Sequence, residues 1–294
     1  MRWAQGFVAV DWGTTNRRAY RIDQDFRCTE EFEDARGILA VPAGGFPDAV
    51  SEIRARLGDS PLLLAGMVGS NRGWIEAPYV SCPAGLDDLA HALVWADDRT
   101  AIVPGVSDDG GERADVMRGE EVQLLGAVGA GLVADSCRVC HPGTHNKWAQ
   151  VDGGRIVNFR TVMTGELFSL LKEHSILADL LEPDAEPGAA FTAGVRRGLD
   201  SDAIQAELFS VRARVLLGKS RREDAAAFTS GLLIGSDVRI GLAASGHAQV
   251  VVMGRPELTE LYAAALAIAG RDATELDGEQ CFIAGIRQIA ERIA

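Results

Sequence analysis

A short pattern of residues occurs twice in the 294-residue sequence, with its two copies 130 positions apart. The first copy is Gly13-Thr14-Thr15-Asn16-Arg17, and the second is Gly143-Thr144-His145-Asn146-Lys147. Each copy indicates a polar turn, because strand-like segments lie on both sides of it. A repeat of this period in a chain just over twice as long predicts two related halves that each carry one such turn.

The first copy has the groups that a phosphate-binding turn needs. Residues 7–10 predict a buried strand, and Gly13 lets the backbone turn sharply where a side chain would block a ligand. Residues 14–16 offer hydroxyl, amide and backbone donors to an anion, and Asp11 can hold Mg²⁺ directly or through water. An ordinary hairpin with a polar turn also fits this segment alone. The repeat favours two anion-binding turns that hold a polyphosphate.

The charge of the chain limits the classes of partner. There are 42 acidic residues against 29 Lys and Arg, a formal net charge of -13, which repels nucleic acid and anionic membrane surfaces. The apolar run at residues 7–10 is far too short for a signal peptide or a membrane span, so we expect a cytoplasmic protein. Five unevenly spaced cysteines argue against a disulfide framework and for reduced thiols.

Two further segments have the composition of binding sites. A glycine-rich loop at residues 66–83 follows a predicted buried strand, and loops at strand ends are where binding groups collect. Near the C-terminus, a predicted strand at residues 249–253 ends in Gly254 and leads into a helix. A strand–glycine–helix junction lets a flat group approach the backbone.

Five segments, taken in order along the chain, resemble the 2-dehydro-3-deoxygalactonokinase family. They are DWGTTN at residues 11–16, the glycine-rich loop at 66–83, MRGEE at 117–121, PGTHNKW at 142–148 and MTGELF at 163–168. The resemblance implies an α/β fold of two duplicated ribonuclease-H-like (actin-like ATPase) domains, each with a mixed sheet flanked by helices. It also implies an active site in the interdomain cleft.

The family implies an ATP-dependent reaction with Mg²⁺. The γ-phosphoryl group is transferred to the 6-hydroxyl of 2-dehydro-3-deoxy-D-galactonate, which gives the 6-phosphate in D-galactonate catabolism. We expect an N-terminal domain at residues 1–135, joined by the C-terminal helix 280–294, to carry the first turn and the sugar-acid site. A C-terminal domain at residues 136–279 is expected to carry the second turn and the adenosine site.

The resemblance also assigns roles to individual residues. Asp11 is the expected Mg²⁺ anchor, and Gly254 lies at the expected adenosine junction. The residues expected to bind ATP phosphates are Gly13, Thr14, Thr15, Asn16, Arg17, Gly143, Thr144, His145, Asn146 and Lys147. Related sugar kinases often have an Asp-Gly-Gly second turn and a Gly-Gly pair at the adenosine junction, whereas this chain has Pro142-Gly143-Thr144 and Gly254-Arg255.

Phosphoryl transfer also calls for one carboxylate that orients the attacking hydroxyl and accepts its proton. Glu120 and Glu121 are the candidates, because they begin a predicted helix whose dipole favours the ionised form. The helix continues through residues 122–132, where small residues between the apolar positions predict close packing, as at a seam between domains. Two acids at a helix N-terminus are also common without any catalytic role, and the sequence does not choose between the pair.

For the sugar acid, Arg72 is the expected partner of the carboxylate, which it would bind in bidentate fashion. Trp74 and Tyr79 are expected to stack on the apolar edge of the sugar, and Ser70 is expected to donate a hydrogen bond. A surface arginine with core aromatics is the competing interpretation. Further cations are available at Arg18 and Arg118.

Other functions are compatible with these patterns. The enzyme could act on another keto-deoxy sugar acid, and the sequence leaves the preference between galactonate-derived and gluconate-derived substrates open. An actin-like fold also serves nucleotide-switched assembly proteins and chaperones, or phosphatases that hydrolyse phosphoanhydrides, without a sugar substrate. A homodimer is compatible with the sequence.

Overall fold

The structure is a computed structural model of the chain that describes residues 3, 5–182, 186–243 and 249–293. The chain divides into two compact units. Unit 1 comprises Met1–Asp135, Val151–Phe159 and Gly278–Ala294, and unit 2 comprises Ser136–Gln150 and Arg160–Asp277. In the described residues, no helix has the length and apolar composition needed to cross a membrane.

The secondary structure of the described residues alternates between strands and helices, as expected for an α/β chain. The strands are β1 (Phe7–Trp12), β2 (Arg17–Ile22), β3 (Cys28–Asp34), β4 (Leu62–Gly66), β5 (Val80–Ser81), β6 (Val94–Asp97), β7 (Thr100–Ile102), β8 (Val106–Asp108), β9 (Asp115–Met117), β10 (Cys137–His141), β11 (Asn146–Asp152), β12 (Arg155–Val162), β13 (Val250–Gly254) and β14 (Ala273–Asp277). The helices are α1 (Phe46–Leu57), α2 (Leu86–His91), α3 (Glu120–Gly129), α4 (Thr164–His174), α5 (Ala189–Asp200), α6 (Ile204–Leu216), α7 (Ala225–Leu242), α8 (Pro256–Ile268) and α9 (Gly278–Arg292).

Unit 1 is built on a mixed sheet with the strand order β3-β2-β1-β4-β7-β6. β1 pairs antiparallel with β2 and parallel with β4, so β1 lies inside the sheet. All five residues of β4 are buried, as expected for a parallel strand that is covered on both faces. The amphipathic helix α1 packs its Ala49, Ile53 and Leu57 into the core on one side of this sheet.

A second sheet, whose strands β10, β13 and β14 lie in unit 2, has the order β12-β11-β10-β13-β14, and in it β13 pairs parallel with both β10 and β14. This order matches β3-β2-β1-β4-β7 in unit 1, where β4 likewise pairs parallel with both of its neighbours. In each unit, the polar turn of the sequence repeat connects the first two strands. The predicted duplication of an α/β domain with mixed sheets is therefore confirmed.

One segment differs from the expected division of the chain. Val151–Phe159 groups with unit 1, although the prediction placed it in a domain of residues 136–279. An antiparallel β-bridge holds this segment in unit 1. Ala84 N–H donates to Ile156 O at 3.0 Å, and Ile156 N–H donates to Ala84 O at 2.8 Å.

The small residues of α3 also have a different role from the predicted domain seam. They allow α3 to pack against α9 inside unit 1, with the two backbones in direct contact at Gly126 and Gly285. A Cβ atom at Gly126 would lie 2.2 Å from Cys281 O, and one at Gly285 would lie 2.0 Å from Val122 O. The last residue of the predicted C-terminal helix, Ala294, is outside the described residues.

Candidate active site

The first turn of the repeat is held from behind by a neighbouring loop. Backbone N–H groups of residues 37–39 donate to all three of its carbonyls: Gly37 to Thr15 O at 2.8 Å, residue 38 to Gly13 O at 3.0 Å and residue 39 to Thr14 O at 3.2 Å. Thr14 and Thr15 are exposed, and their backbone N–H groups have no hydrogen-bond partner among the described residues. The turn therefore has a fixed shape with donors available to an anion.

Asn16 and Arg17 point away from that set of donors. The Arg17 guanidinium is buried and makes a bidentate ion pair with Asp34, with N···O distances of 3.0 and 3.2 Å, and it lies over the Trp12 ring. The Asn16 side chain donates to Glu33 at 3.2 Å. The charge and geometry of Arg17 are thus already used inside unit 1, which does not favour the predicted role of this side chain in binding ATP.

Asp11 lies in β1, one residue before the end of the strand, and is half-buried. The loop after β4 passes close to it: a Cβ atom at Gly66 would lie 3.4 Å from Asp11 Oδ1. Gly66 has φ +90°, and Gly119 lies next to it with φ +111°. A Cβ atom at Gly119 would lie 3.2 Å from Gly66 Cα. Both positions favour glycine, because their φ angles are positive and a side chain at either one would crowd the backbone beside Asp11.

The two candidate bases, Glu120 and Glu121, differ in their burial and in their hydrogen-bond partners. Glu121 is fully buried, and both of its carboxylate oxygens accept the Gly119 N–H, at 2.9 and 2.7 Å. Burial and the neighbouring Glu120 charge raise the pKa of Glu121 to about 8. Glu120 is half-buried, and its Oε2 accepts the Arg118 N–H at 3.0 Å.

The glycine-rich loop at residues 66–83 uses two of the predicted sugar-acid residues to hold its own shape. The Ser70 hydroxyl donates to Met67 O at 2.7 Å and accepts the Arg72 N–H at 3.3 Å, so its proton is not available to a substrate. The Trp74 ring stacks on Phe46 with a centroid distance of 6.1 Å, and it is partly buried against the core. The substrate roles predicted for Ser70 and Trp74 therefore do not fit their contacts.

Arg72 and Tyr79 lie in different surroundings in the same loop. The Arg72 side chain is exposed and has no hydrogen-bond or ion-pair partner among the described residues. Tyr79 is 40% exposed, and its ring lies 4.3 Å from the Arg118 guanidinium carbon. The arginine that the structure brings to Tyr79 is therefore Arg118, which comes from the segment before α3.

In unit 2, the second turn is attached to the start of α4. Glu166 N–H donates to Thr144 O at 3.0 Å, and a Cβ atom at Gly165 would lie 2.5 Å from Gly143 O. The exposed His145 ring contacts the Glu166 carboxylate, with Nε2 2.6 Å from Oε2. Gly143, Thr144 and His145 thus form the accessible part of this turn.

The last two residues of the second copy are interior residues. Asn146 is fully buried and donates from Nδ2 to Asp237 at 2.8 Å. Lys147 is also buried, and its Nζ donates to Thr161 Oγ1 at 2.8 Å. Because these two side chains join the turn to the core, their contacts do not favour the predicted binding of ATP phosphates.

Asp237 is a buried carboxylate that the sequence predictions missed. It accepts hydrogen bonds from four side chains: Asn146, Trp148, Thr164 and Tyr262, at distances of 2.5 to 2.8 Å. Burial raises the pKa of Asp237, and the four donors oppose that effect. Its sequence signal is an acid in the middle of the apolar helix α7, which predicts a buried carboxylate with dedicated donors.

Gly254 ends β13 with φ +155°, and α8 begins two residues later at Pro256. A Cβ atom at Gly254 would lie 3.6 Å from Pro142 O, so the junction lies beside the second turn. This arrangement leaves room for a planar group against the backbone.

Asp11 is the one carboxylate that the sequence predicts as a Mg²⁺ ligand. No group of three or more His, Cys, Asp or Glu residues that could hold a metal ion by themselves occurs in the described part of the chain. Mg²⁺ is commonly bound through one or two carboxylates together with substrate phosphates. One carboxylate, Asp11, next to a turn with available donors fits that chemistry.

Comparisons with known proteins agree with this arrangement. Residues 11–289 match the family described as 2-keto-3-deoxy-galactonokinase. The chain is 41% identical over 294 residues to 2-dehydro-3-deoxygalactonokinase of Escherichia coli (strain K12), with 98% of each protein covered.

Solved structures show the same relationship. A crystal structure from Sinorhizobium meliloti, assigned as a 2-dehydro-3-deoxygalactonokinase, has a TM-score of 0.92 at 36% identity and covers 98% of this chain and 99% of that one. Component A of the (R)-2-hydroxyglutaryl-CoA dehydratase of Acidaminococcus fermentans has a TM-score of 0.54 at 12% identity, covers 98% of this chain and 99% of that one, and shares the fold alone. The fold is thus the actin-like ATPase fold that the resemblance implied, and the chain belongs to the 2-keto-3-deoxy-galactonokinase family.

Proposed function

We propose that the protein is an ATP-dependent sugar-acid kinase that transfers the γ-phosphoryl group to the 6-hydroxyl of 2-dehydro-3-deoxy-D-galactonate. The product is the 6-phosphate, and the reaction is a step of D-galactonate catabolism. Family membership supports the reaction class. The observation that carries the proposal is the first turn, where a fixed backbone offers the N–H groups of Thr14 and Thr15 beside the Asp11 carboxylate.

The first turn would bind phosphate oxygens, and Asp11 would hold the accompanying Mg²⁺. Phosphoryl transfer requires mainly that the protein position the reactants and neutralise charge on the phosphate oxygens. Bound Mg²⁺ supplies part of that neutralisation. The backbone donors of the turn supply another part at no reorganisation cost, because residues 37–39 already fix their direction.

In unit 2, Gly143, Thr144 and His145 are the residues of the second turn that we retain as ATP ligands, with Gly254 beside the adenosine. Their accessible positions support this assignment. Asn146 acts indirectly, because its bond to Asp237 fixes the end of the turn.

We assign the catalytic base to Glu120. Its carboxylate is half-buried, its Oε2 is oriented by the Arg118 N–H, and its Oε1 has no hydrogen-bond partner among the described residues. Glu121 is enclosed, both of its oxygens contact Gly119 N, and its pKa of about 8 keeps it largely protonated at neutral pH. The half-buried Glu120 is therefore the better placed of the two carboxyls to accept the hydroxyl proton.

The test is ADP release with purified protein, MgATP and added sugar acids. The proposal predicts release that depends strictly on a 2-keto-3-deoxy sugar acid, with a 6-phosphate product identified by ³¹P NMR. Equal ADP release without sugar would support a phosphatase or an assembly ATPase instead. Faster turnover of the gluconate-derived epimer would support the kinase reaction but assign the enzyme a different substrate.

A further inference from the structure

Arg118 has the surroundings of an anion-binding arginine, but its side chain has no ion-pair partner among the described residues. It lies between β9 and α3, and its side chain is only 9% exposed. Its Nη2 donates to Ala77 O at 2.8 Å, and the Tyr79 ring covers the guanidinium at 4.3 Å. These two contacts fix the plane of the guanidinium against the glycine-rich loop.

The remaining nitrogens of this guanidinium lack acceptors. Nε and Nη1 of Arg118 are buried and have no hydrogen-bond partner in the described residues. No carboxylate of a described residue lies within ion-pair distance of the group, because Glu120 binds the Arg118 backbone N–H instead. A buried cation with unpaired donors is costly for the folded protein. Such a group is retained most readily where a ligand supplies the missing charge.

The unpaired donors of the guanidinium have the geometry that a planar anion needs. Nη2 carries a second N–H, so it can form a fork with either Nε or Nη1, and such a fork binds both oxygens of a carboxylate. The backbone of Gly69 packs closely against the Nη1 side, because a Cβ atom there would lie only 3.0 Å from Nη1. Tyr79, which is 40% exposed, forms the outer wall through which a ligand would reach the fork.

We propose that Arg118, rather than Arg72, binds the carboxylate of the sugar-acid substrate, with Tyr79 as the flat wall against its keto-acid end. This inference rests on the proposed kinase function and specifies the residue that makes the enzyme selective for an acid over a neutral sugar. Arg72 is exposed and solvated, so a carboxylate bound there would gain less than one bound by a desolvated guanidinium.

The test compares the sugar acid with its C1 carboxamide, which is neutral but has the same length. In the wild type, the acid should have a kcat/KM about a hundredfold above that of the amide. R118Q should lower kcat/KM for the acid by about that factor and change the value for the amide by less than about threefold. A purely structural role of Arg118 would lower both values together and keep their ratio, which would overturn the proposal.

R72Q tests the competing assignment, and R113Q replaces an exposed arginine as an inert control. Both variants should keep the wild-type acid-to-amide ratio, and loss of the ratio in R72Q alone would move the carboxylate site to Arg72. Should R118Q fail to fold, G69A keeps the charge and crowds Nη1, and it should reduce the ratio at least about threefold. An unchanged ratio in G69A would then count against the proposal. A wild type that phosphorylates neither compound would instead remove the kinase function itself.

Discussion

The backbone N–H of Gly37 donates a 2.8 Å hydrogen bond to the carbonyl of Thr15, and this bond ties the first phosphate turn to the loop behind it. A Cβ atom at Gly37 would lie 2.3 Å from Thr14 O, which no real packing tolerates. The shape of the turn thus depends on a residue that carries no functional group and lies more than twenty positions from it in sequence.

For this reason, G37A should push the turn out of position. We expect KM for ATP to rise at least about tenfold, which is roughly the loss of one charge-assisted phosphate contact. KM for the sugar acid should change much less. Steady-state kinetics with each substrate varied in turn gives both values. G111A is the matched control, because a Cβ at Gly111 meets nothing within 4 Å and should leave both constants unchanged.

Asp11→Asn should abolish most Mg²⁺-dependent turnover while leaving the fold intact, because the amide keeps the size of the side chain and removes the charge that holds the cation. Activity is measured over a range of Mg²⁺ concentrations, with circular dichroism to check the fold. D98N, at an exposed acid of the same unit, is the control. Wild-type rates and a wild-type Mg²⁺ dependence in the Asp11→Asn protein would rule out the metal assignment.

Glu120→Gln should lower kcat by roughly a hundredfold or more, since it removes the group that accepts the hydroxyl proton. Glu121→Gln should lower kcat far less, because that carboxyl serves mainly to hold Gly119. Both variants are compared in single-turnover experiments with saturating ATP and sugar acid. The opposite ranking would make Glu121 the base and Glu120 the group that tunes its pKa.

Asp237→Asn should destabilise unit 2, because the new amide N–H would face donors from Asn146, Trp148, Thr164 and Tyr262. The free energy of unfolding should fall by about 2–4 kcal/mol, and KM for ATP should rise as the second turn loosens. S236A, at the adjacent residue of α7, is the control for both measurements. Unchanged stability in the variant would show that Asp237 is not the structural centre of this cluster.

The sequence predicts the strands and turns of this protein better than it predicts the directions in which the side chains point. The repeat at Gly13 and Gly143 identified both turns, because glycine and alternating apolar residues are local signals. Arg17 and Asn146 were assigned to phosphate because they are polar and adjacent to those turns. Their partners, Asp34 and Asp237, lie far along the chain or across the fold, and no local pattern shows them.

Partners that lie far apart in the sequence also explain why the residues predicted to bind the sugar acid differ from those that the structure favours. Arg72 was favoured over Arg118 because it shares a loop with two aromatic residues. The structure packs Trp74 against the core and puts Tyr79 over Arg118, which comes from a segment about 40 residues later in the chain. β3 also escapes prediction from the sequence, because four acids, residues 30, 31, 33 and 34, conceal an edge strand whose Phe32 alone is buried.

The buried carboxyl of Glu121 should make the stability of the protein depend on pH. Its pKa is about 8 in the folded chain against an ordinary value of 4.5, so the folded state holds this proton more tightly than the unfolded state. The stabilisation is complete below pH 4.5 and is lost as the pH rises towards 8, with an upper limit of about 5 kcal/mol.

Glu121→Gln has no proton to lose, so its urea-unfolding free energy should fall less than that of the wild type between pH 5 and pH 8. Glu120→Gln should reduce the wild-type slope in part, because the Glu120 charge contributes to the shift. Parallel profiles for wild type and Glu121→Gln would show that this carboxyl titrates normally and is already ionised at neutral pH.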